Sequence, residues 1–222
     1  MSNDAVFFDS QPVPWMPRRY AAIGPVPEDP RFDANGREME DGGDLGFAFR
    51  RAAQALTELW SSETDDSLAL VVVYNYRHAL ELGMKAVIHT LVPGPRLRSR
   101  SGLDEQEQRA ANNLKTHSLK DLLQSLRELT GRMGWTVAPV VADVCSQIHD
   151  RDPGGDYFRY PDLRQRGGDG PPKLAREAPL YIDVPRFAQI ADEAFVVLLV
   201  LLEAAHQELH DRLSAAGLGN AT

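Results

Sequence analysis

Cysteine is all but missing. Cys145 is the only one among 222 residues, so the chain can close no disulfide on itself and cannot assemble the sulfur-rich ligand set of a structural zinc site. A reducing, cytoplasmic setting is the expectation that follows, with Cys145 a small buried residue. Long apolar runs are missing too: the strongest block, FVVLLVLL at 195–202, spans eight residues, well short of the roughly 20 that a membrane-crossing helix needs. The first twenty residues hold no basic start followed by an apolar stretch, so neither a secretory leader nor a membrane partner is read. Surplus positive charge is also lacking. Against 24 Lys and Arg stand 32 Asp and Glu, net −8, which argues against an indiscriminate nucleic-acid coat because such binding rests on neutralising phosphates; a local basic site stays compatible with it. The chain contains no P-loop, Rossmann glycine motif, HExxH or nucleophile elbow, no repeat of solenoid length and no extended alternation of apolar and polar residues.

What is present is the composition of an ordinary folded protein, 43% hydrophobic and 25% charged, which excludes wholesale disorder, at a length that fits one domain. Six prolines (Pro12, Pro14, Pro17, Pro25, Pro27 and Pro30) crowd residues 1–43, which therefore read as an irregular arm. From 44 to 216 the spacing predicts an all-α bundle of four main helices plus a short one. A first helix covers 44–60 and a second 67–91. A third follows His117, with Ser118 and Asp121 resembling a capping box and Leu119, Leu122, Leu123, Leu126 and Leu129 on one face. A fourth covers 137–149, with Thr136 as cap and Pro139 in its first turn, and the last, 183–213, opens on Asp183 and Pro185. Residues 94–113 read as a basic loop, GPRLRSRSG, and then a short helical turn. Residues 150–181 form a long loop rich in Gly, Pro and Arg, of a length that in compact domains is usually functional or disordered. LYIDV at its end is a candidate short strand, and the tail 217–222 is expected to be disordered.

The bundle is organised around 67–91, SLALVVVYNYRHALELGMKAVIHTL. At roughly 100° per residue, Val72, Tyr76, Ala79, Leu80, Gly83, Ala86 and Val87 share one side, while Tyr74, Arg77, His78, Glu81 and Lys85 share the other. Residues three and four apart touch on a helix, so Glu81 is within reach of Arg77, His78 and Lys85 together, and Tyr74 of Arg77 or His78. Two readings stay open. The row is a solvated face with ordinary ion pairs, each worth about 0.3–0.5 kcal/mol, or, given its apolar flanks, it faces a neighbouring helix or subunit, where buried charges must be paired. His78 and Glu81 have the i, i+3 spacing of a metal-binding pair, but no second pair accompanies them, because His206 and His210 lie where the last helix turns polar. Neither a metal nor a cofactor is expected.

Two further segments join the ladder: His117 in KTHSLKDLL, and DYFRYPD at 156–162. Together, YNYRHALELGMKAVI, THSLKDLL and DYFRYPD resemble HEPN-like helical proteins over roughly residues 65–202. Those are bundles that in prokaryotes often act as toxin or defence ribonucleases and commonly dimerise through the face carrying their polar residues. The resemblance implies a protein of a defence or toxin–antitoxin type system, a homodimer, RNA as substrate and a partner protein encoded nearby. The chain departs from the catalytic pattern of that group, Arg-x4-6-His; its nearest approach is Arg109 and His117, with seven residues between. The candidate catalytic group is therefore Arg77, His78, Glu81 and His117. In a metal-independent ribonuclease, His78 or His117 would take the proton of a 2′-hydroxyl and Glu81 would orient the histidine. Arg77, Lys85 or Arg159 would hold the phosphate, with Tyr74 and Tyr160 as further substrate contacts. Arg96, Arg98 and Arg100 in one loop, and five cations against two acids across 159–176, fit either substrate approach or plain solubility. DYFRYPD also reads as a loop packed over the bundle end, with Arg159 paired to an acid such as Glu81. The alternative function is a non-catalytic, dimeric interaction or ligand-sensing module.

Overall fold

The computed structural model describes residues 42–63, 66–92, 94–158, 162–163, 173–174 and 181–215. Apart from Gly42 and Gly43, the arm expected at 1–43 lies outside them, as does the tail. The described chain is all-α. α1 (Gly42–Glu63) and α2 (Asp66–Leu91) precede two short helices, α3 (Gly94–Ser99) and α4 (Glu105–Asn113), and then come α5 (Leu119–Arg132), α6 (Pro139–Arg151) and the longest, α7 (Val184–Ala215). Between α6 and α7, β1 (Asp162–Leu163) and β2 (Lys173–Leu174) form a minimal antiparallel pairing, Asp162 opposite Leu174 and Leu163 opposite Lys173.

Local chemistry sets the helix ends, and in places corrects what spacing alone predicts. The segment read as a basic loop is helical over GPRLRS, with Pro95 in the first turn, where a missing N–H costs nothing. α4 forms despite its polarity because Asp104 and Glu107 close a reciprocal capping box, each side chain accepting the other's backbone N–H at 3.0 Å. Ahead of α5 only half of such a box exists, Ser118 Oγ accepting the Asp121 N–H at 3.3 Å. α6 starts later than expected: Ala138, without a side-chain cap, precedes Pro139 in the first position, so Thr136 does not cap it. Tyr181–Asp183 are irregular rather than extended into a strand. Asp183 Oδ1 accepts the Arg186 N–H at 3.2 Å, the side-chain cap that starts α7.

α2 is the axis of the bundle. It packs against α1 and α7, and also against α5 and α6. Val72, Leu80, Met84, Val87 and Ile88 along it are wholly buried, each contributing about 1.5–3 kcal/mol. The backbones of α1 and α2 approach closely where Gly46 lies near Gly83. A Cβ on Gly83 would stand 3.2 Å from Leu198 Cδ1 and 3.3 Å from Phe195 Cε2, and one on Gly46 3.3 Å from the Ala79 carbonyl oxygen. Phe195 of α7 is buried in that notch. Arg50 then ties α1 to α7, donating Nε and Nη2 to Asp192 at 2.6 and 2.8 Å. Among the described residues, no helix is long and apolar enough to cross a membrane.

Candidate functional site

Arg77, Glu81 and Lys85 follow one another at i, i+4 on α2, and the fold turns this row inward. Arg77 and Glu81 are each 1% exposed, so the solvated-face reading does not hold for them and their charges need partners. Glu81 Oε2 accepts Arg77 Nη1 at 3.0 Å, and Oε1 accepts Lys85 Nζ at 2.8 Å and meets His117 Nδ1 at 2.9 Å. Arg77 gives its Nη2 to the backbone carbonyl of His117 at 2.6 Å. Its Nε faces Asp152 Oδ2 at 3.0 Å, an ion pair that lies off the line a hydrogen bond needs. Asp152, also buried, accepts the Tyr157 N–H on Oδ1 at 3.0 Å. Two cations thus balance two carboxylates, and the cluster joins α2 to the turn before α5 and to the turn after α6.

The electrostatics follow from that arrangement. Burial works to raise the Glu81 pKa, but the hydrogen bonds and charges of Lys85 and His117 outweigh it and hold the carboxyl below its ordinary value. An ionised Glu81 has no proton to give, so in the neutral imidazole Nδ1 is the donor and Nε2 keeps a lone pair. The His117 side chain is 59% exposed. A largely exposed imidazole is therefore oriented by a carboxylate that water does not reach, an arrangement suited to accepting a proton.

His78 is placed differently from what the ladder suggests. Its ring contacts are aromatic: Phe49 lies edge-on at 4.3 Å between centroids and Tyr74 stacks at 5.8 Å. Burial, with the charges of Arg77, His117 and Lys85 in the same sense and that of Glu81 opposing, pushes its pKa below 6.5. Glu81 therefore meets Arg77, Lys85 and His117, not Arg77, His78 and Lys85. Tyr74 stacks on His78 rather than on Arg77. Arg159 and Tyr160 lie outside the described residues.

Asp152 is the member that spacing overlooks. A signal was present: an acid at the C-terminal end of a helix meets the negative pole of the helix dipole, so an Asp there needs a cation. Arg96 and Arg100 of the basic segment are likewise engaged. Arg96 donates Nη1 and Nη2 to Glu107 at 3.0 and 2.6 Å, Arg132 pairs with Asp104, and Arg100 donates to Asn112 Oδ1 at 2.7 Å. These cations brace α3, α4 and α5. A cleft of about 400 Å³ between α6 and the start of α7, lined by Val144, Gln147, Tyr181, Arg186 and Phe187 among others, contains none of the cluster residues. Among the described residues, no group of three His, Cys, Asp or Glu side chains is arranged to hold a metal ion. Comparison with protein-family models, curated proteins and solved structures returns no match to this chain.

Proposed function

We propose that the chain is a HEPN-like, metal-independent ribonuclease of a prokaryotic defence or toxin–antitoxin type system, in which His117 is the proton acceptor. The observation that carries this reading is the pairing of a buried, ionised Glu81 with an exposed His117. A bundle that needed only internal bracing could end its ion cluster on Lys85 and Arg77; it would have no use for an imidazole at the surface. In the proposed step His117 Nε2 takes the proton of a ribose 2′-hydroxyl and O2′ attacks the adjacent phosphorus. The bond from phosphorus to the 5′-oxygen breaks, a 2′,3′-cyclic phosphate forms, and water protonates the departing oxygen. Lys85, half-buried at the rim of the cluster, supplies positive charge to the phosphate. Arg77 is withdrawn from substrate contact because all three of its donor positions face protein groups. The HEPN resemblance adds a homodimer as the working form and a partner protein encoded nearby.

The test uses the full chain, single-stranded RNA and excess EDTA. Cleavage into fragments ending in 2′,3′-cyclic phosphate is expected, with His117→Ala slower by at least about 100-fold, the lower range of a general base contribution. Intact RNA, or cleavage that EDTA abolishes, overturns the reading. A second reading, a non-catalytic interaction or ligand-sensing module, is favoured by the burial of Arg77 and Asp152 as an internal ion pair. Under it the chain leaves RNA intact, and Arg77→Ala weakens self-association.

A further inference from the structure

Asp152 sits where a carboxylate has little reason to be, at the C-terminal end of α6 against the negative pole of that helix. Its two oxygens serve two segments. Oδ1 holds the Tyr157 N–H at 3.0 Å, which draws the turn after α6 together, and Oδ2 faces Arg77 Nε at 3.0 Å. The other ends of that guanidinium are fixed on Glu81 Oε2 at 3.0 Å and on the His117 carbonyl at 2.6 Å. Gly155, at φ +85°, lies against the same group: a Cβ there would come within 2.9 Å of Nη2. One planar group therefore grips both the backbone of residue 117 and the carboxylate to which the ring of residue 117 bonds. Because that ring is largely exposed, packing does little to choose its orientation or tautomer.

We propose that Asp152 and Arg77 form a positioning pair for His117, fixing Nδ1–H on Glu81 and so presenting Nε2 as the acceptor; the inference rests on the reading of His117 given above. Neither member touches substrate, since both are buried. Lysine cannot take the place of Arg77, because one ammonium does not offer three donor directions in a plane.

The experiment is nitrogen-15 NMR of the histidine rings in the full chain, read together with RNA cleavage. The wild type is expected to show His117 with Nδ1 protonated and Nε2 bare. Asp152→Asn keeps an acceptor for the Tyr157 N–H but turns an amide toward Arg77. It should fold, show a mixture of His117 tautomers, and lower kcat at least tenfold with KM nearly unchanged. If Asp152→Asn does not fold, Arg77→Lys, which keeps a positive charge in the cluster, carries the same comparison. A mixed tautomer in the wild type, an unchanged tautomer in a folded variant, or unfolding of both variants, which would make the pair a structural strut alone, overturns the proposal. An inactive wild type that nonetheless shows the expected spectra overturns the ribonuclease reading and leaves the positioning intact.

Discussion

Removing the Arg77 side chain would take from the buried carboxyl groups of Glu81 and Asp152 the cation they share. Breaking a buried ion pair from one side costs about 3–5 kcal/mol. Arg77→Ala is therefore expected to lower unfolding free energy by that amount in urea titrations, whereas His117→Ala, at an exposed side chain, should change it by less than about 1 kcal/mol. The two substitutions separate support from chemistry. The cluster also sets a pH dependence. His78 is held below 6.5 in the folded chain, so under acid the unfolded chain takes up its proton first and stability falls as pH drops below about 6.5. Glu81 is held below its ordinary 4.5; its contribution is complete above that pH and is lost as pH falls through the folded value. Tm should decline in two stages on acidification, and His78→Phe should remove the upper one. A Tm flat between pH 7 and 5 would contradict this assignment.

Among the elements, α2 was the most legible. Its apolar flanks announced a central helix, and the i, i+4 row announced Arg77–Glu81–Lys85 contacts. Spacing could not divide the row between neighbours. Arg77, Glu81 and Lys85 step by only about 40°, but His78 lies about 100° around from Arg77, enough to turn it toward Phe49 of α1 while Arg77 turns toward the turns flanking α5 and α6. The tie to His117 came from motif resemblance, and the tie to Asp152 was not visible, because a contact across the bundle leaves no periodic trace. The basic segment misled for a related reason: Arg96 pairs with Glu107 across an intervening turn, and a local charge count shows only the cations. Two glycines test the element contacts. Gly155→Ala combines a left-handed φ with a Cβ against the Arg77 guanidinium and should cost about 1–3 kcal/mol. Gly83→Leu should cost about 1–3 kcal/mol or more by overpacking Leu198 and Phe195. Wild-type stability in either variant would refute the packing described.

At the scale of the whole molecule, net charge and proposed substrate pull in opposite directions. A chain of net −8 repels RNA at long range, so association should depend on local charge such as that of Lys85 and lose little affinity with added salt compared with a basic nuclease. In the proposed function a buried carboxylate serves an exposed imidazole that does chemistry. The most direct measurement is the RNA cleavage rate of His117→Ala at a temperature where its urea titration matches the wild type. A rate lower by about 100-fold or more with the fold intact is the predicted result; a rate equal to wild type would contradict it and leave the cluster as internal bracing.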